Sequence, residues 1–446
     1  MKKLIQTIKN IFKIEELRTR ILYTLGLLVI YRLGSFIVLP GIDAGALASA
    51  ETFRTETSEG LMGLLNMFSG GAFGNASIFA LGVMPYISAS IVIQLLGIFV
   101  PAFRKLQMEG ESGRRKMNQY TRYLTILIVL IQGFAYMKAL PSQLGMDASS
   151  VFVYSQLGWS PFWFNLTSVL LLLGGTMFVM WLGERITDRG IGNGISLIIM
   201  VGIIARLPQA FLGEITFKFS GTGGGALALI IELVALFFVF VAAIAIVQAV
   251  RKVPVQYAKR VIGNKQYGGV RQYIPMKINA AGVMPIIFAQ ALMMIPMFFP
   301  NTGFAAVMGN YTGFWYNFTF ALLVIAFTYF YTAVTINPTM MAEDMRKNNG
   351  FIPGVKPGKK TAEYLDSIMS RVTLPGSVFL ALIAILPAFA TLLGVQPQFA
   401  SFYGGTSLLI LVGVVLDTLQ QIESHLLMRH YDGLMKTGRL KGRSGM

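Results

Sequence analysis

Gly358-Lys359-Lys360-Thr361 has the ending of a phosphate-binding loop, whose backbone would cradle a nucleotide. Five positions before Gly358, where such a loop needs glycine, stands Pro353. Lys360 also occupies the place of the Ser or Thr that would reach a magnesium ion. No nucleotide chemistry follows from it. The chain has no cysteine, which excludes disulfides, thiolate metal sites and thiol catalysis. Its two histidines, His425 and His430, sit in one polar segment and cannot make a metal site alone. The acids nearest to apolar stretches are Glu184, Asp188, Glu232 and Asp417. An acid at membrane depth is a functional candidate by default. Here Glu232 and Asp417 fall near the ends of their stretches, where snorkelling or a helix partner would satisfy them. No carboxylate pair, histidine cluster or nucleophile elbow stands out within an apolar stretch. The expectation is a non-enzyme with no cofactor and no metal.

The elements around these residues explain why chemistry is scarce. Of 446 residues, 54% are hydrophobic and 13% charged, so the bilayer is the solvent for most of the chain. Runs of roughly 20 apolar residues predict spans near 21–39, 76–100, 122–140, 162–183, 191–208, 226–250, 281–299, 315–336, 374–393 and 404–423. The fold class expected is therefore an all-α membrane protein of ten transmembrane helices. Residues 1–20 put Leu4, Ile5, Ile8, Ile11 and Phe12 on one helical face, as an amphipathic helix on the membrane surface would. No small-residue cleavage site follows the first apolar run, so 21–39 is expected to stay as a span.

The formal charge is +17. All but five of the 37 Lys and Arg residues (Arg32, Arg54, Lys138, Arg206 and Lys218) fall on the face shared by the termini. By the positive-inside rule both termini are cytoplasmic, in a multi-pass protein of the plasma (inner) membrane. Topology accounts for the charge without nucleic acid.

Residues 61–75 are apolar but too short and glycine-broken to cross. They read either as a re-entrant helix breaking at Gly70-Gly71 or as an outer loop packed against helices. Gly82-Val83-Met84-Pro85 opens the second span and Gly282-Val283-Met284-Pro285 the seventh. Both are second spans of a five-helix half, and because five is odd the halves must be inverted. The domain boundaries expected are a surface helix at 1–20, an N-terminal half at 21–208, a C-terminal half at 226–423 and a cytoplasmic tail at 424–446. Two long cytoplasmic loops punctuate the second half. The first is 251–279, in which residues 253–279 alternate apolar and polar positions around Ile262-Gly263-Asn264, predicting a hairpin. Residues 337–373 open with Asn337-Pro338, a helix cap and first-turn proline, break at Asn349-Gly350 and resume as helix near Thr361.

The stretch Leu81-Gly82-Val83-Met84-Pro85-Tyr86-Ile87-Ser88-Ala89-Ser90-Ile91-Val92-Ile93-Gln94 resembles the SecY family of channel subunits of the bacterial Sec translocon. Asn66-Met67-Phe68-Ser69-Gly70-Gly71, Gly175 to Ser196, Tyr257-Ala258-Lys259-Arg260, Phe351 to Gly358 and Tyr403-Gly404-Gly405-Thr406-Ser407 are similar to the same family, in the same order. The resemblance implies a passive protein-conducting channel of two inverted five-helix halves around a central pore. It would pass unfolded secretory proteins across the membrane and release membrane proteins sideways through a lateral gate.

The resemblance also assigns residues. The pore ring would be Val83, Ile87, Ile195, Ile199, Ile287 and Ile410; aliphatic side chains at a constriction dewet it and exclude ions without fixed charge. The plug would be 61–75, with Leu64, Asn66, Met67, Phe68, Ser69, Gly70 and Gly71. Gln94 lies in the gate helix, where its amide serves either a bond across the closed gate or an ordinary interhelical contact. Lys259, Arg260, Lys265, Lys356, Lys359 and Lys360 would dock the ribosome through rRNA phosphates, or the SecA motor ATPase; topology alone would also make them basic. At Lys356 the family usually carries arginine, and lysine keeps the charge without the planar fork. SecE and SecG subunits, signal sequences, unfolded preproteins and membrane lipids complete the implied partners. A secondary transporter would need polar substrate ligands at the midplane, and a membrane enzyme a buried catalytic cluster.

Overall fold

The computed structural model describes residues 14–43, 45, 66–143, 151–153, 160–220, 224–257, 260–262, 265–267, 271–293 and 312–437. Residues 1–13, Leu64 with the rest of 61–65, Lys259, Gly263-Asn264, the end of the seventh span at 294–299 and the tail beyond 437 lie outside the described residues.

The chain divides into two compact units, Met1–Pro208 with Val414–Met446, and Gln209–Gly413. The first holds α1 (Glu15–Gly34), α2 (Met84–Phe99), α3 (Pro101–Met108), α4 (Glu111–Gln143) and α5 (Pro161–Arg189). α6 (Gly194–Phe219) begins there and leaves it at Pro208. Prolines open α2, α3 and α5, where a missing N–H costs nothing. The core joins the turn after α1 (Leu39, Ile42), the irregular segment 66–83 (Phe73, Ala76, Ala80), α4 (Tyr136, Met137, Leu140) and α5 (Phe164, Val169, Leu172).

The second unit holds α7 (Gly225–Gln248), β1 (Val250–Tyr257), β2 (Arg260–Ile262), β3 (Lys265–Tyr267), β4 (Arg271–Lys277) and α8 (Met284–Met293). α9 (Phe314–Thr335), α10 (Pro338–Lys347), β5 (Gly350–Phe351), α11 (Lys359–Leu392) and α12 (Pro397–Ala400) follow. The last helix, α13 (Gly405–Thr437), starts in this unit. The expected hairpin is present: β1 pairs antiparallel with β4 from Val250↔Lys277 to Gln256↔Arg271, and β2–β3 pair beyond them. A third strand was not expected. Asn349, at φ +54, turns the chain so that β5 pairs with the far edge of β1, in the order β4-β1-β5.

Seven described helices are long and apolar enough to cross a membrane: α4, α5, α6, α7, α9, α11 and α13. The pair α2–α3, bent by 102°, makes up to eight. α1 is not among them, for Glu15, Glu16, Arg18, Arg20 and Arg32 interrupt its apolar run. The second expected span is shorter than 76–100. Residues 78–83 form turns, and helix begins only at Met84 because Gly82 sits at φ +53 and Pro85 takes the first turn. By contrast α4, α11 and α13 run well beyond 122–140, 374–393 and 404–423. Hydropathy marks only the apolar part of a helix, and backbone hydrogen bonding continues into polar sequence.

The Gly-Val-Met-Pro repeat reappears as packing inside each unit. Gly82 and Gly282 both have positive φ, +53 and +63, and the helices after them begin at Met84 and Met284. Ile87 N–H donates to Val83 O at 3.0 Å, and Ile287 N–H to Val283 O at 3.4 Å. In the first unit a Cβ on Gly175 would overlap the carbonyl of Ile78; in the second a Cβ on Gly376 would meet that of Ile278 at 2.8 Å. A Cβ on Gly194 would collide with Gly183 O, as one on Gly404 would with Ile383 O. Four residues of sequence identity thus mark a longer correspondence in backbone approach.

Candidate functional site

Residues 66–83 are mostly turns, a backbone state that needs donors and acceptors from outside itself at membrane depth. Part of the supply is internal. Gly71 N–H donates to Asn66 O at 2.8 Å, and Gly74 N–H to Asn66 Oδ1 at 2.9 Å. Ser69 Oγ–H donates to Asn66 O and accepts from Phe73 N–H at 3.0 Å. Gly70 and Gly71, at φ +65 and +93, make the reversal. The structure therefore brings Asn66, Ser69, Gly70 and Gly71 into one knot, with Met67 and Phe68 buried beside it.

Three helices hold the knot from outside. From α1, Tyr31 Oη–H donates to Ser69 O at 3.2 Å and Arg32 Nη1 to Gly70 O at 2.5 Å. From α4, Tyr136 Oη–H donates to Phe73 O at 2.8 Å. From α6, Gly202 lies so near that a Cβ on Gly70 would be 2.8 Å from its Cα. The sequence reading missed all four. Arg32, a charge inside an apolar run, and Gly202, inside the fifth span, were the available signals.

None of the six ring candidates is exposed. Val83, Ile199 and Ile410 are buried, while Ile87, Ile195 and Ile287 are half-buried. Val83 and Ile87 stand one turn apart at the start of α2, as Ile195 and Ile199 do in α6. Gly183 of α5 leaves room for Ile195, whose Cγ1 would lie 2.8 Å from a Cβ there. Ile287 and Ile410 belong to the second unit. Gln94 donates its amide to Ser90 Oγ at 3.4 Å, one turn back in α2. In the second unit a helix-to-helix amide contact does exist: Gln290 of α8 and Thr406 of α13 meet at 3.4 Å.

The two long loops of the second unit fold as one platform. Val253, Val255, Met276, Met345, Ile352, Leu365 and Met369 make a single buried core from β1, β4, α10, the 350–355 segment and the first turns of α11. Asn337 caps α10 as expected, its Oδ1 accepting from Thr339 N–H at 3.1 Å and Met340 N–H at 3.3 Å. Lys356, Lys359 and Lys360 project from this platform into solvent, and Arg260 and Lys265 lie on β2 and β3. Lys360 Nζ pairs with Glu363 at 3.0 Å.

A second charged group was not foreseen. Lys218 Nζ of α6 lies 2.7 Å from Glu232 Oε1 of α7 and 3.5 Å from Glu214 Oε1, and donates to Gly394 O at 2.9 Å. Glu214 Oε2 accepts from Gln396 N–H at 2.9 Å, and Tyr403 Oη–H donates to Glu232 O at 2.8 Å. Glu214 is 0% exposed. The fifth span was expected to end at 208, which left Glu214 unread; α6 runs through Pro208 to Phe219. Glu214 and Lys218, four apart, were the signal. Glu184 and Asp188 lie on α5, and Glu184 takes Arg122 of α4 through two bonds, 2.7 and 3.2 Å.

The SecY family model matches residues 77–419. Relatives described as protein translocase subunit SecY include one from Thermus thermophilus, 43% identical over 449 aligned residues that cover 97% of this chain and 98% of that protein. Another, from Thermotoga maritima, is 42% identical over 455 residues, covering 98% and 99%. Among solved structures, one described as a protein conducting channel has a TM-score of 0.61 at 17% identity, covering 92% of each chain. The Sec61 channel of a canine ribosome-channel complex has a TM-score of 0.56 at 17% identity, also covering 92% of each. At such identities the two structures speak to the fold.

Proposed function

This chain belongs to the SecY family, and on that footing we propose that it is a passive, gated channel for unfolded secretory proteins and for membrane proteins leaving sideways into lipid. The observation that carries the reading is the irregular 66–83 segment, held within the first unit by hydrogen bonds to backbone carbonyls. A permanent wall would be better made of continuous helix. A stopper that leaves and returns is better held by bonds to carbonyls than by ion pairs, each worth about 1 kcal/mol net and somewhat more where the donor is charged, as at Arg32.

In this reading ten spans form two inverted halves, with both termini cytoplasmic in the plasma membrane. The matched packing at Gly82 and Gly282 supports the repeat. Residues 61–75 are the plug, and Val83, Ile87, Ile195, Ile199, Ile287 and Ile410 form the ring. Branched aliphatic side chains shift around any passing sequence and offer it no hydrogen bond. Gln94 works in the lateral gate. The platform carrying Arg260, Lys265, Lys356, Lys359 and Lys360, with Lys259, docks the ribosome or the SecA motor. SecE and SecG are the membrane partners, and energy comes from motor or ribosome. A similar solved channel is described with its plug domain stabilising the closed state, in keeping with this role for 61–75.

Reconstitution tests the proposal. Proteoliposomes holding this chain with its partner subunits and the motor ATPase should protect an added preprotein from protease when ATP is present. If an ion gradient and a small solute alone sustained transport, the channel reading would be wrong.

A further inference from the structure

Arg32 is the only charged residue between Arg20 and the end of α1. Among the described residues no carboxylate lies within ion-pairing distance of it. Its guanidinium instead donates to Gly70 O at 2.5 Å and to Ser35 Oγ at 3.4 Å, and lies 4.7 Å from the centre of the Phe36 ring. The residue before it completes a two-pronged hold: Tyr31, 0% exposed and stacked on Phe79 at 6.1 Å, donates to the neighbouring carbonyl of Ser69. Both carbonyls belong to the turn at Gly70-Gly71. A cation in an apolar run is costly without partners, so each side of this contact needs the other.

We propose that Arg32 is a positioning residue for the plug, a latch that holds the Ser69-Gly70 hinge at rest, with Tyr31 as its second prong. The inference rests on reading 61–75 as a plug. Partner chemistry makes the latch reversible. A buried carboxylate would grip Arg32 too firmly to release, whereas a carbonyl lets water or a passing backbone take its place. The close approach of Gly202 to Gly70 sets where the hinge returns.

The chain has no cysteine, so one introduced thiol reports cleanly. Met67 is 5% exposed, and in a Met67→Cys background a charged maleimide given to both faces of proteoliposomes labels the hinge only when it is released. Resting efflux of trapped chloride is the second readout. Arg32→Gln should raise labelling rate and efflux roughly tenfold or more, as expected for a lost charge-assisted bond. Arg32→Lys, which keeps one donor, should retain most of the closure. Tyr31→Phe keeps the stacked ring and should raise both severalfold. Should Arg32→Gln fail to accumulate in the membrane, Tyr31→Phe decides the matter. Normal labelling and efflux in the inserted variants would overturn the latch. Deleting 61–75 separates the two ideas: if efflux stays at rest, the plug reading fails. If the deletion leaks while the point variants do not, the latch alone fails.

Discussion

Lys218 stands between two carboxylates, its Nζ 2.7 Å from Glu232 and 3.5 Å from Glu214, with all three side chains largely shut off from solvent. One ammonium thus serves two acids at the place where α6 gives way to α7. Removing the ammonium would leave uncompensated charge in a buried site, which costs on the order of 3–5 kcal/mol. Lys218→Met should therefore lower the thermal midpoint in detergent sharply, whereas Glu232→Gln, which leaves Lys218 with Glu214, should lower it less. Equal midpoints for Lys218→Met and the parent would refute the account.

Three glycines make a controlled test of backbone approach. Gly175 and Gly376 face the carbonyls of Ile78 and Ile278, with no room for a methyl group. Alanine at either should destabilise by roughly 1–3 kcal/mol through overpacking. Gly174, adjacent in α5, has nothing within 4 Å, and alanine there should be neutral or stabilising by up to about 1 kcal/mol. Thermal unfolding of the three variants in parallel checks this; a harmless Gly175→Ala would contradict the packing.

At the hinge, Gly70 and Gly71 both have positive φ, but only Gly70 is crowded, by Gly202. Alanine at Gly71 carries the left-handed penalty alone, about 1–2 kcal/mol, while at Gly70 a collision adds to it. Resting chloride efflux from proteoliposomes should rise more for Gly70→Ala than for Gly71→Ala. The opposite order would mean that the close approach to α6 does not govern closure.

On the platform, Lys360 already has Glu363 at 3.0 Å, while Lys356 and Lys359 make no ion pair among the described residues. Lys356→Ala and Lys359→Ala should each weaken ribosome or motor binding more than Lys360→Ala does. The deficit should shrink as salt rises, since phosphate contacts are screened. Sedimentation binding across a salt series measures both effects; equal losses at all three positions would discount the role of Glu363.

Much of this protein was legible before folding was considered. Hydropathy located α4, α5, α6, α7, α9, α11 and α13, and Asn337-Pro338 marked the start of α10. What failed was local in each case. α6 continued past Pro208, and 78–83 stayed non-helical because Gly82 takes a positive φ ahead of Pro85.

Taken alone, the order of residues determined that the chain lives in a bilayer, that it lacks catalytic machinery visible in its motifs, and that Gly-Val-Met-Pro occurs twice. These are sums over neighbouring side chains, and neighbours are written in the sequence. Tertiary structure decided which donor meets which acceptor: Arg32 with Gly70, Tyr136 with Phe73, and Lys218 with Glu232 of the next helix. Those partners are separated by as many as 63 residues, and hydrogen bonds act over about 3 Å. Only the packing of helices brings such groups within reach.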